Sequence, residues 1–194
     1  MVGVTGDLYT RMNPLGNAGL FDRLVQLGCE VWPSPFFANS ALASSLETRK
    51  QARQVRLLGA MLEEVAKVLT MGAERRLVEC LPPEVAALAT EPPAEELIRL
   101  AQRYVGPQSH FLIVLTVGKI ADFLQRGAAG VISAAGINCI VGTVASSMIP
   151  ALRAGFADAP VLSLAYGGAE GPGQRIRLET FVHQVHERWR RRAA

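Results

Sequence analysis

Cys139 is the side chain best placed to do chemistry in this sequence. It closes the stretch Gly136-Ile137-Asn138 and stands just ahead of Gly142 and Thr143, where a helix is expected to begin. A helix N-terminus leaves backbone N–H groups unpaired and carries the positive end of the helix dipole, which favours a thiolate there. A thiolate in that place serves as a nucleophile or as a metal ligand. The same residue type also fits a small buried position at a tight strand-to-helix turn, because free cysteine is among the most buried residues.

Two other loops share that Gly-rich, polar character: residues 6–17, with Tyr9, Arg11, Asn13 and Pro14, and residues 167–173. If all three follow strands of one open parallel sheet, they converge beyond the strand C-termini, where such sheets bind ligands. The 167–173 loop has no Lys-Ser/Thr after it and no GxGxxG register, so it is a poor phosphate cradle.

The remaining candidates have plainer explanations. His183 and His186 sit three apart on an expected terminal helix, beside Glu187 and Arg188, and read as solvated. Glu63-Glu64 and Glu95-Glu96 are adjacent pairs that a helix turns about 100° apart, so neither is a catalytic dyad. Cys29, at a strand start, and Cys80, before a Pro-Pro break, read as structural. Trp189 and Arg190 to Arg192 form a basic tail that opposes a helix C-terminal dipole.

The elements that position these residues follow from the apolar pattern. Residues 2–5 form a short apolar run, residues 17–27 a helix ended by Gly28, and residues 29–32 a second strand closed by Pro33 and Pro35. A long amphipathic helix is expected over 46–77, with Val55, Leu58, Met61, Leu62, Val65 and Leu69 at helical spacing. Short helices are expected at 84–89 and 94–105, between the Pro-Pro breaks and Gly106-Pro107. Residues 111–125 fit a buried strand or a buried helix by pattern, with the helix favoured. Then come a strand at 129–134, a helix at 142–154, a strand at 160–166 and a helix at 175–190.

This alternation predicts a single α/β domain over residues 1–194. It is a three-layer Rossmann-like or flavodoxin-like arrangement with about four mainly parallel strands and a helical insertion at about 40–107. The composition agrees: 49% hydrophobic and 19% charged residues are a globular balance and exclude disorder as the main theme. A net charge of +3 does not imply nucleic acid. No charge occurs between Arg126 and Arg153, yet Ser, Asn and Thr residues, four glycines and Pro150 in that span argue against a membrane crossing. The start of the chain has no basic and apolar leader, so a cytoplasmic location is expected. Three widely spaced cysteines make neither a disulfide framework nor a self-contained zinc site.

Several segments together resemble a known family. Gly6-Asp7-Leu8-Tyr9-Thr10-Arg11-Met12-Asn13-Pro14 with Asn17, and Leu27-Gly28-Cys29-Glu30-Val31, resemble the opening of the domain shared by 2-hydroxyacyl-CoA dehydratase components and activase-related, double-cubane cluster proteins. Thr116-Val117-Gly118-Lys119, Asp122 and 127–132 resemble its "T-x-G-K-x-x-D-x-x-x-x-G-A-D-G-V-I" stretch. The likeness continues through Cys139, Gly142, Thr143, 159–162 and the Arg177-Leu178-Glu179-Thr180-Phe181 helix. It covers roughly residues 2–35 and 110–185.

The resemblance implies a subunit that supplies Cys139 to an iron–sulfur cluster of 4Fe-4S type, with Asn138, Gly142 and Thr143 shaping its loop. Tyr9, Arg11, Asn13 and Asn17 would act as substrate contacts or supports from the facing loop. One matching thiolate does not hold a cubane, so the cluster would be shared with a second copy or a second α/β subunit, and an ATP-dependent activator would deliver electrons. The chain departs from the family at Ile140-Val141, where Met-Pro is usual, at Gly167-Gly168, where Asp-Gly is usual, and at Ala129. The alternative is a cluster-less binding or scaffold module of the same fold, taking an acyl-CoA or another small ligand.

Overall fold

The computed structural model describes residues 1–35, 57–106, 108–167 and 172–193. Strand β1 (Val2–Gly6) is buried along its whole length. Its side chains alternate between two cores: Val2 and Val4 pack under the C-terminal helix, and Gly3 faces the Phe123 ring. A Cβ at Gly3 would stand 2.5 Å from that ring, so only glycine lets the strand lie so close to its covering helix.

The other strands are β2 (Val31–Pro33), β3 (Gly130–Gly136) and β4 (Val161–Tyr166). They form one all-parallel sheet in the order β2-β1-β3-β4, with Thr5 paired to Ser133 and Ser133 to Ser163. The chain leaves β1 for β2 on one side and returns to β3 on the other. The carboxyl ends of β1 and β3 are therefore the point where successive connections part.

The helices are α1 (Leu8–Met12), α2 (Leu20–Gln26), α3 (Leu57–Glu79), α4 (Pro83–Ala89), α5 (Ala94–Ala101), α6 (Phe111–Gln125), α7 (Ile140–Gly155) and α8 (Pro172–Ala193). Helices α6 and α7, with α5 behind them, cover one face of the sheet, and α2 and α8 cover the other, giving a three-layer Rossmann-like α/β fold. Helix α6 is buried on all sides from Ile113 to Leu124, which is why its sequence shows no amphipathic period. Where α5 crosses it, a Cβ at Gly118 would meet the Leu97 carbonyl oxygen at 2.6 Å, so glycine sets the approach of the two helices.

Three expectations change. The 6–17 segment is not an irregular loop: α1 forms one turn after β1, capped by the Asp7 carboxylate, which accepts from the Thr10 N–H at 2.8 Å. The helix expected to run up to Gly106-Pro107 stops at Ala101 and not near Val105. Helix α7 begins at Ile140, two residues before Gly142, which makes Cys139 its N-cap. The first part of the long helix expected at 46–77 lies outside the described residues, as does most of the Gly-rich stretch at 167–173; α3 accounts for the remainder of that helix. Among the described residues no helix is long and apolar enough to cross a membrane.

Candidate functional site

The crevice beyond β3 and β4 encloses about 470 Å³ and is lined by Gly136, Asn138, Cys139, Gly142, Thr143 and Ser163, among others. The chain reaches it by a sharp turn. The Ile137 N–H donates to the Tyr166 carbonyl at 2.8 Å, and Asn138 adopts a left-handed conformation (φ 60°), one that asparagine tolerates better than most residues. Cys139 follows in extended geometry, and its carbonyl accepts from both the N–H (3.0 Å) and the hydroxyl (3.1 Å) of Thr143. Its thiol is half-buried, and makes no capping hydrogen bond. Gly142 is held by contact: a Cβ there would stand 2.6 Å from that of Ala135, so α7 starts hard against β3. Cys139 and the three residues expected around it therefore line one cleft, at the N-terminus of a 16-residue helix. On the far wall the Arg177 guanidinium donates to the Ser163 carbonyl.

The facing segment divides in two. Tyr9 is exposed, and Asn13 makes a local turn in which its side-chain oxygen accepts from the Leu15 N–H. Arg11 and Asn17, by contrast, face inward. Arg11 is fully buried and donates to the carbonyls of Gly6 and Pro35 at 3.1 Å each, tying the ends of β1 and β2 together. Burial pushes its pKa down, opposed by the nearby carboxylates of Glu91 and Asp7. Asn17 donates to the Arg11 carbonyl and accepts from the Leu20 N–H at the start of α2. These two residues brace the segment, the supporting role named as one alternative for them. The rim of this edge is apolar: Tyr9, Met12, Leu15, Ile137 and Ile140 are all exposed.

A second polar constellation lies around α6, with its Glu91 near Arg11, and the sequence reading did not single it out as a site. Lys119, on α6, has no solvent exposure; its ammonium donates to Glu91 and Asp122 at 2.8 Å each and rests 4.3 Å above the Phe123 ring. Burial holds the Glu91 carboxyl above its ordinary pKa, while Lys119 pulls it back down. Arg126 clamps the same loop by donating to the carbonyls of Ala87 and Thr90, and stacks on Trp32, whose indole N–H donates to the Leu88 carbonyl. The connection from α4 to α5 is thus fastened to β2 and α6 by four side-chain contacts. A signal for it existed: Lys119 and Asp122 stand three apart in an otherwise apolar helix. Their partner Glu91 comes from a loop 28 residues earlier and carried no pattern.

The other candidates lie elsewhere. Cys29 is buried, with its thiol 3.8 Å from His186 Nε2 at the opposite edge of the sheet, and burial pushes its pKa up. Cys80 is exposed at the end of α3, contrary to the expectation of a buried structural thiol. His183 is solvated beside Glu187, as expected. Among the described residues no three of His, Cys, Asp and Glu gather as a metal cage. No family model, curated protein or solved structure matches this chain.

Proposed function

We propose that this chain is an α/β subunit that presents the Cys139 thiolate to an iron–sulfur cluster shared with another chain. That chain is a second copy or a second α/β subunit, and an ATP-dependent activator delivers the electrons. The observation that carries the reading is the setting of Cys139: a half-buried thiol at the N-cap of a long helix, between the exposed Ile137 and Ile140. A thiol with an apolar rim beyond the carboxyl end of β3 suits a site that is finished by an apposed surface.

The donor set supports one ligand and not a cage. Cys29 lies at the other sheet edge and Cys80 at the end of α3, so neither joins Cys139. When bound, a cluster supplies one-electron transfer at low potential. The chain's own residues have simpler tasks. Cys139 donates a thiolate, and the open N–H groups of the first turn of α7 offset negative charge beside it. Asn138 and Gly142 hold the turn close to β3, and Ile137 and Ile140 exclude water against the partner surface.

The test is anaerobic reconstitution, with iron and acid-labile sulfide counted per chain for the wild type and for Cys139→Ser. Uptake by the wild type that is lost in the variant is expected, either alone or after a partner chain is added. Iron uptake that Cys139→Ser leaves intact overturns the reading. A second reading, a cluster-less module for an acyl-CoA or another small ligand, draws on the polar wall of the cleft, where Ser146, Ser147 and Arg177 face it. It predicts no iron in any combination, and saturable acyl-CoA binding that Arg177→Ala weakens.

A further inference from the structure

A thiol and an imidazole meet at the amino end of the sheet. Cys29 follows α2, its N–H donating to the Leu24 carbonyl at 2.9 Å, and β2 begins two residues later. His186, on α8, sets its Nε2 3.8 Å from the Cys29 sulfur, although 157 residues separate the two along the chain. Both line a recess of about 520 Å³. Val2, Ala129, Val185 and Trp189 supply its apolar wall, and Met1, which brings a thioether, lines it too. Cys29 is buried, and burial pushes its thiol pKa up, so an uncompensated thiolate is disfavoured there.

We infer that Cys29 and His186 form a binding site for one soft monovalent metal ion, of the Cu(I) class. The spacing of the two donors supports this. Metal–sulfur and metal–nitrogen bonds run to ~2.3 Å and ~2.0 Å, so one ion bridges donors that stand ~3.5 Å apart at a tetrahedral angle and ~4.3 Å apart in line. The 3.8 Å between Sγ and Nε2 falls inside that span. An ion therefore enters between the two side chains with little movement of either.

Softness and charge select the ion. Thiolate, thioether and imidazole suit Cu(I), whereas hard cations take a shell of oxygens. Glu30 lines the recess, but so does Arg190, and the wall carries no net acidic charge to draw a hard cation. A monovalent ion on one thiolate and one neutral imidazole leaves the recess without net charge, and its binding releases the thiol proton that burial retains. A divalent ion would leave a positive charge beside the apolar wall, a cost that only further donors offset. Two donors also fall short of the four that zinc takes, and no three of His, Cys, Asp and Glu gather among the described residues. This site lies at the opposite end of the sheet from the Cys139 cleft, and its test needs no iron.

The test is anaerobic titration of the full chain with Cu(I) against bathocuproine disulfonate, a chelator whose coloured complex reports the copper that the chain does not hold. Cys80→Ser/Cys139→Ser, which removes the two thiols outside the recess, serves as the reference chain and is expected to retain one copper. Adding Cys29→Ser is expected to abolish retention. Adding His186→Gln, at a half-buried position on α8, is expected to weaken it at least ~10–100-fold, the loss that removal of even a supporting partner of a ligand brings. Far-UV spectra and Tm without metal show that each variant is folded, and Cys29→Ala replaces Cys29→Ser if the serine is not. X-ray absorption of the loaded reference chain is expected to show both sulfur and nitrogen bound to copper. A reference chain that yields all its copper to the chelator overturns the inference. So does copper that survives Cys29→Ser, or retention that His186→Gln leaves unchanged. Displacement of Cu(I) by an equal concentration of Zn(II) overturns the monovalent assignment.

Discussion

Replacing Lys119 by Met tests whether the buried charge network holds the helical insertion to the domain. The ammonium has no exposure, makes two 2.8 Å contacts, to Glu91 and Asp122, and both carboxylates are about 95% buried themselves. Methionine fills nearly the same volume and keeps contact with Phe123, so the loss is electrostatic. Removing one partner of a buried ion pair costs ~3–5 kcal/mol, because the charge left behind keeps its desolvation penalty and loses its compensation. For a domain of this size each kcal/mol moves Tm by about 2–4 °C, so a fall of roughly 6–20 °C is expected.

The pH dependence identifies the cause. Burial raises the folded-state pKa of Glu91 above its ordinary value, so the folded chain binds that proton more tightly than the unfolded chain. The contribution of Glu91 to stability is therefore greatest at low pH and is lost as pH rises from the unfolded value through the raised folded one. Lys119 opposes the rise, so Lys119→Met widens this window and its cost grows with pH. Urea unfolding at pH 5 and pH 7 measures it: the variant is expected to lose less at pH 5, and Lys119→Met/Glu91→Gln is expected to recover part of the loss at pH 7. A cost below ~1 kcal/mol at pH 7, within the range of a surface pair, or a cost independent of pH, refutes the reasoning.

Two further substitutions probe the packing that sets the site. Gly118→Ala puts a methyl group 2.6 Å from the Leu97 carbonyl oxygen and is expected to cost ~1–3 kcal/mol in urea titrations by prising α5 from α6, even though alanine is the better helix former. Thr5→Val replaces a buried hydroxyl that has no hydrogen-bond partner among the described residues. It is expected to be neutral or to stabilise by up to ~1 kcal/mol, since valine keeps the shape and removes an unpaired polar group. A loss of stability on Thr5→Val would mean that the hydroxyl is paired, for instance to ordered water.

The parallel sheet was legible because its signals are local. Short β-branched runs at 2–5, 130–132 and 161–164 are each stopped by Gly or polar residues, and the intervening helices carry their own boundaries. Helix ends were harder to place. Gly142 reads as the start of α7, but the helix begins at Ile140, because helical geometry is set by the left-handed turn at Asn138, which sequence pattern does not reveal. The 6–17 segment reads as a loop for its Asn, Pro and Gly content, and a single Asp7 cap is enough to close one turn of helix within it.

The site was legible in proportion to how far its residues depend on neighbours in sequence. Cys139, Asn138, Gly142 and Thr143 occupy one strand-to-helix turn, so their spacing alone gathers them. Tyr9 and Asn13 reach the same edge by topology, since β1 and β3 are adjacent strands whose loops part there. Arg11 could not be assigned in this way: an arginine in a polar segment has the same sequence signature whether it faces a ligand or spans two backbone carbonyls, and its bond to Pro35 after β2 carried no sequence pattern. Lys119 shows the opposite case, in which the sequence marks an anomaly, a cation in a helix with no polar face, without revealing its cause. A buried ammonium persists only where carboxylates meet it, so the presence of Lys119 in α6 requires a distant acid. The structure supplies Glu91, from the α4–α5 connection, and the pair so formed accounts for a buried cation in the core.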